Sequence, residues 1–119
     1  MVQKEVLSNI RTRLEQERVS LRGDIEALEV ENQAQQDDYG VGNHVADDAT
    51  EVFTRERNLA LRNNAQDLLV QVETALQRLE EGSYGICARC GNEIAPERLD
   101  ALPYAIYCIT CQSQVEHER

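Results

Sequence analysis

Four cysteines carry the chemistry of this sequence. Cys87, Cys90, Cys108 and Cys111 lie in the last third of a 119-residue chain, spaced C-x2-C-x17-C-x2-C. A two-residue spacer lets one tight turn aim two thiolates at a single metal ion. Two such knuckles supply the four-thiolate set that zinc takes in ribbon-type modules. Gly85 and Gly91 flank the first pair and give the backbone freedom for such a turn. Other uses of the thiols fit less well. Two disulfides need an oxidising compartment, and a thioredoxin-like pair expects a βαβ context. An iron–sulfur cluster can use four thiolates, but paired knuckles in so short a ribbon favour zinc.

Four thiolates close the coordination sphere and leave no position for water or substrate. The expected cofactor is therefore one structural Zn2+, and no enzyme activity is expected, because no nucleophile–base pair accompanies the site. The module from Gly82 to Arg119 is too small to hold itself together by apolar burial alone. Zinc ligation, at roughly 10–16 kcal/mol, is expected to supply what burial does not.

The segment before the cysteines must position this module. Leu7, Leu14, Leu21 and Leu28 recur at sevenfold spacing, Ile10 and Ile25 fill intermediate positions, and Arg18 interrupts the seam. That is an a/d pattern for a coiled-coil helix. Gly23 is its weak point, costing up to about 1 kcal/mol against Ala. The periodicity stops near Gln36, where Asp, Asn and two glycines read as a turn. A second helical stretch then runs to about Glu81, with Val52, Phe53, Leu59, Leu61, Ala65, Leu68, Val72, Leu76 and Leu79 as its apolar positions. Asp48 to Glu51 reads as a capping box at its start, and Gly82 suits the residue that ends it.

Two helices of similar length joined by a short loop are expected to fold back antiparallel. The expected fold is mainly α: a long antiparallel coiled-coil hairpin over 1–81, with a tip loop at about 37–48, then a four-cysteine zinc finger with a short C-terminal helix over 82–119. Two helices of a bundle closed by oligomerisation are the open alternative. Tyr84, Tyr104 and Tyr107 are expected to pack the zinc module, and Phe53 to make an apolar contact near the tip.

Charge narrows the partners. There are 12 Lys and Arg against 22 Asp and Glu, a formal net charge of -10. Broad phosphate-backbone binding needs clustered cations, so direct binding of nucleic acid is not expected. No apolar run approaches the roughly 20 residues of a membrane span, and the first residues carry no apolar signal-peptide stretch. The expected location is the cytoplasm. The acidity has one single-signed stretch, Asp37, Asp38, Asp47, Asp48 and Glu51. On their own such carboxylates read as helix caps.

The stretch from Tyr84 to Gln112 resembles the DksA/TraR zinc-finger family. The likeness rests on Tyr84-Gly-Ile-Cys-Ala-Arg-Cys-Gly, on Arg98-Leu99-x-Ala101-x-Pro103 and on Cys108-Ile-Thr-Cys-Gln. Asn43 to Glu51, with Arg55-Glu-Arg57 after it, is most similar to the general-stress and sporulation-associated subgroup. The resemblance implies a transcription regulator that binds RNA polymerase, as a monomer, by inserting its coiled-coil tip into the secondary channel. The family's tip motif is D-x-x-D-x-A. Its second Asp falls on Asp47 and its Ala on Ala49, while His44 stands at the first Asp. The implied partner-binding residues are His44, Asp47, Asp48, Ala49 and Glu51, with Arg98 a further partner-facing residue. Gln71, Leu102 and Gln112 stand where guanosine-tetraphosphate-responsive members use basic residues, so weak or no response to that nucleotide is implied. Two alternatives remain open: a zinc-ribbon stress-response adaptor for another partner, and a thiol-based redox sensor.

Overall fold

The computed structural model describes residues 4–38 and 45–118, with side chains at 4–32 and 50–118. Four helices follow in order: α1 (Lys4–Asp38), α2 (Val45–Glu81), α3 (Pro96–Ala101) and α4 (Ile109–His117). The β-pairing among the described residues is an isolated antiparallel bridge between Ile86 and Glu93. The chain divides into two compact units, Met1–Arg18 with Val70–Arg119, and Val19–Leu69. The cysteine module shares a unit with the beginning of α1 and the end of α2.

In the first unit α1 presents a seam at steps of four and three residues. Leu14 is fully buried, Leu7, Arg11 and Arg18 are half-buried, and Ile10 is buried on the flank. On α2 the buried positions are Val72 and Ala75, with Leu76 and Leu79 half-buried. An ion pair of 3.7 Å joins Arg11 near the start of α1 to Glu80 at the end of α2.

The second unit keeps the same stepping but fills it differently. Leu21 is buried and Ile25, Leu28 and Asn32 are half-buried on α1. The α2 seam here is Glu51, Arg55, Asn58, Arg62 and Ala65, of which Asn58 is fully buried. Glu29 pairs with Arg62 at 4.0 Å and Asn32 with Asn58 at 3.2 Å. As the number rises on α1 it falls on α2, so the segments are antiparallel.

This corrects the expected core of α2. Val52, Phe53 and Leu61 are 49%, 73% and 45% exposed. Positions 52 and 53 fall between the seam positions 51 and 55, and 61 falls beside 62. Polar residues hold the seam while these apolar ones face outward. The mixture costs burial but leaves long, straight side chains of good helix propensity along most of the interface.

Both ends of α2 refine the sequence reading. The helix starts at Val45, so Asp47 and Asp48 lie in its first turn and not in a loop reaching to 48. Asp48 is thus inside the helix and is not its N-cap. His44 lies outside the described residues. At the other end Gly82 has φ +79°, and the chain reverses in a Schellman motif. Gly82 N–H donates to Leu79 O at 3.4 Å and Ser83 N–H to Arg78 O at 2.9 Å. The mainly α fold class thus holds, an antiparallel helical hairpin followed by a four-cysteine module. No helix of the described residues is long and apolar enough to cross a membrane.

Candidate metal centre

The first knuckle is a tight turn between the two bridge partners. Cys87 N–H donates to Asn92 O at 2.8 Å, and Ile94 N–H to Gly85 O at 2.7 Å. Gly91 closes the turn at φ +80°, a backbone state that other L residues rarely adopt, and its N–H donates to Cys87 O at 3.1 Å. Inside the turn the N–H groups of Arg89 and Cys90 point at Cys87 Sγ, at 3.4 and 3.5 Å.

The second knuckle is built on a helix start. Cys108 is the N-cap of α4, its carbonyl accepts Gln112 N–H at 2.8 Å, and Cys111 lies one turn on. Ala88 N–H reaches Ile106 O at 2.8 Å and ties the two knuckles together. Between them Pro96 opens α3 at its first turn, where a missing N–H costs nothing.

These elements bring all four thiols to one point. The four Sγ atoms lie within 4.8 Å of one another, and Cys90 Sγ is 3.8 Å from Cys108 Sγ. A tetrahedron with zinc–sulfur bonds of about 2.3 Å has edges of about 3.8 Å. The donor set and its spacing therefore fit a zinc ion. Such an ion would supply charge neutralisation and a cross-link, not a reaction step.

The thiols are electrostatically unequal. Burial pushes Cys87 up, but backbone N–H groups of Cys90, Cys108 and Arg89, with the Cys90 side chain, outweigh it and bring the thiol down to about 6. Cys108 is also lowered, first by the backbone N–H of Cys111 and then by its thiol. Cys111 goes the other way, pushed up to about 12 by burial and by the neighbouring thiols. The Cys87 thiolate thus forms readily while the Cys111 thiol holds its proton, and a divalent cation is what lets all four ionise together.

A small apolar core surrounds the thiols: Cys87, Ile94, Leu99, Ala105 and Cys111 are buried, with Tyr84, Leu102, Tyr107 and Cys108 packed against them. Tyr84 and Tyr107 pack the module as expected, and Tyr84 OH also donates to Pro103 O at 2.8 Å. Arg98 is half-buried, and its Nε donates to Tyr107 O at 3.1 Å. Two more arginines reach the module from the hairpin helices. Arg13 Nη2 donates to Asp100 O at 3.1 Å, and Arg78 Nη2 to Ile86 O at 2.7 Å. Sequence reasoning did not find these roles. Its one available signal was Arg78 in the last turn of α2, which reads as a complement to the helix dipole.

The tip residues are placed less fully. The backbone of Asp47, Asp48 and Ala49 is in the first turns of α2. Glu51 occupies a seam position, half-buried, and its Oε2 is buried with no hydrogen-bond partner among the described residues.

The module's sequence matches the model of the prokaryotic dksA/traR C4-type zinc finger over residues 82–117. The finger over residues 82–117 is thus of the DksA/TraR C4 type. Relatives extend the likeness beyond the finger. General stress protein 16O of Bacillus subtilis is 40% identical over 79 residues, covering 66% of this chain and 48% of that protein. RNA polymerase-binding transcription factor DksA of Caulobacter vibrioides is 37% identical over 75 residues, covering 63% of this chain and 51% of that one. The chain thus spans about half the length of the curated relatives it matches. Among solved structures, transcription factor DksA2 from Pseudomonas aeruginosa superposes with a TM-score of 0.76 at 28% identity, covering 97% of this chain and 86% of that one. The regulator Dks from Chlamydia trachomatis shares the fold at a TM-score of 0.64 and 24% identity, covering 99% of this chain and 95% of that one.

Proposed function

We propose that this chain is a DksA/TraR-family transcription regulator that binds RNA polymerase and does not hold DNA itself. The observation that carries the reading is the DksA2 likeness, which extends over 97% of this chain and so includes hairpin as well as finger. The tip of the hairpin enters the polymerase secondary channel, with His44, Asp47, Asp48, Ala49 and Glu51 as the contact set. A segment with five carboxylates and no Lys or Arg between 37 and 52 suits a site that is cationic or holds a metal ion. The zinc finger carries one structural Zn2+ and no catalytic activity. The protein works in the cytoplasm as a monomer.

The test is a pull-down of core polymerase by the purified zinc-loaded chain, repeated with Asp47→Asn. Binding by the wild type, with altered promoter output from the variant, is expected. Absence of binding at micromolar concentration would remove the reading.

A second reading has one observation behind it. His44 stands where the family's tip motif has its first Asp. A stress-response adaptor for another partner would tolerate that change. It predicts that Asp47→Asn leaves the cellular phenotype intact.

A further inference from the structure

The metal knuckles share a feature beyond their cysteine spacing. Each first cysteine is preceded by a carbonyl that a guanidinium holds. Arg78 Nη2 donates to Ile86 O at 2.7 Å, one residue before Cys87. Arg98 Nε donates to Tyr107 O at 3.1 Å, one residue before Cys108. We infer that Arg78 and Arg98 are positioning residues of the zinc centre, one per knuckle, and that Arg78 couples metal occupancy to the last turn of α2.

A peptide unit is planar, so fixing its oxygen and its N–H fixes the Cα that follows. The Ile86–Cys87 unit is held at both poles: Arg78 binds its oxygen, and its N–H donates to Asn92 O at 2.8 Å. Cys87 therefore enters the knuckle with its Cα already placed. The Tyr107–Cys108 unit is held at its oxygen, and Cys108 then caps α4. Neither guanidinium bonds a sulfur. They act by aiming the ligands, as outer-sphere partners of metal sites do.

Arg78 does this from an unusual position. Its own carbonyl accepts Ser83 N–H at 2.9 Å in the Schellman motif that ends α2. Its side chain reaches over the same turn, donating to Ser83 O at 3.4 Å as well as to Ile86 O. One residue thus closes the helix with its backbone and the knuckle with its side chain. A disordered first knuckle removes the Ile86 acceptor from Arg78 and so loosens the turn that Arg78 caps. Metal binding and the end of α2 must then stabilise each other.

The geometry also says why lysine will not substitute. A guanidinium presents donors in a fixed planar fork on a long stem, while an ammonium is a strongly hydrated point charge. Arg89 offers the contrast. It sits within the first knuckle, carries the same charge, and is engaged with Glu118 at 2.6 Å instead of a knuckle carbonyl.

The inference rests on the zinc reading of the four cysteines and not on the polymerase reading. The experiment uses the full chain loaded with zinc. Zinc affinity is measured by competition with a chromophoric chelator for the wild type and for Arg78→Gln, Arg78→Lys, Arg98→Gln, Arg98→Lys and Arg89→Gln. Amide exchange at Gly82, Ser83 and Cys87 is followed in the same samples. Losses of about 10–100-fold in zinc affinity are expected for both Gln variants. The Lys variants should recover little of the loss, and Arg89→Gln should stay close to wild type. In the wild type, zinc should slow exchange at Gly82 and Ser83, and that effect should vanish in Arg78→Lys. Unchanged affinity in Arg78→Gln and Arg98→Gln would overturn the inference. So would full recovery by lysine or an equal loss in Arg89→Gln, since either makes the effect one of charge. A wild type that takes up no zinc overturns both this inference and the zinc reading.

Discussion

Asn58 Nδ2 donates to Asn32 Oδ1 at 3.2 Å across the α1–α2 seam, and Asn58 is the polar side chain that is fully buried among the described residues. Its own Oδ1 is buried without a hydrogen-bond partner. Buried polar pairs in coiled coils give up stability to fix register and partner number. Removing one side should therefore cost more than removing both. Asn32→Ala strands the Asn58 amide and should destabilise by about 1–3 kcal/mol. The double variant Asn32→Leu, Asn58→Leu should raise the urea midpoint above wild type while broadening the species distribution in sedimentation. A double variant that stays one species with a lower midpoint would assign the pair to stability instead of register.

The exposed and buried apolar residues of the helices should separate sharply. Leu14 is fully buried, whereas Phe53 is 73% exposed. Leu14→Ala should cost about 2–5 kcal/mol. Phe53→Ser should change stability by no more than about 0.5 kcal/mol. Urea unfolding followed by helical ellipticity checks both. A large loss in Phe53→Ser would show the residue covered in solution.

That contrast marks where the sequence was readable. The leucine spacing from Leu7 to Leu28 placed the α1 seam, because apolar residues at sevenfold steps have few alternative uses. Gly82 and the four cysteines were legible for the same reason: each satisfies a local geometric demand. The first half of the α2 seam was not, because Glu51, Arg55, Asn58 and Arg62 hold it while Val52, Phe53 and Leu61 stand outside; Val72, Leu76 and Leu79 farther on were legible. A rule that sends apolar residues inward misassigns such a helix. The roles of Arg13, Arg78 and Arg98 were hidden for a different reason. Each bonds a carbonyl of a residue eight or more positions away, or on another element, and carbonyls leave no mark in sequence.

Zinc removal should act first on the cysteine module. Its buried side chains are Cys87, Ile94, Leu99, Ala105 and Cys111, and two of these five are ligands. Without the ion, so small a core cannot repay the entropy of ordering the module. Treatment with a strong chelator should collapse the amide dispersion of residues 84–117 in NMR spectra. The helical signal of α1 should persist to a greater degree. Retention of native module shifts after complete zinc loss would mean that packing alone holds this end.

Alkaline pH gives an independent probe of the same packing through Tyr84. Burial pushes its phenol up to about 12, against a small opposing pull from the Arg13 charge. A folded-state value above the unfolded one near 10 means that the folded module keeps the proton longer. The contribution is complete below about pH 10 and is lost as pH rises toward 12. Tyr84→Phe removes the bond to Pro103 O and should lower stability at pH 8 by about 0.5–1.5 kcal/mol. The gap between wild type and variant should then narrow from pH 10 upward and close at about pH 11. Urea midpoints across that range test the gap, and absorbance at 295 nm reports the phenol directly. A gap that is constant to pH 12, or a Tyr84 phenol that ionises near 10, would show that the hydroxyl faces water and not Pro103.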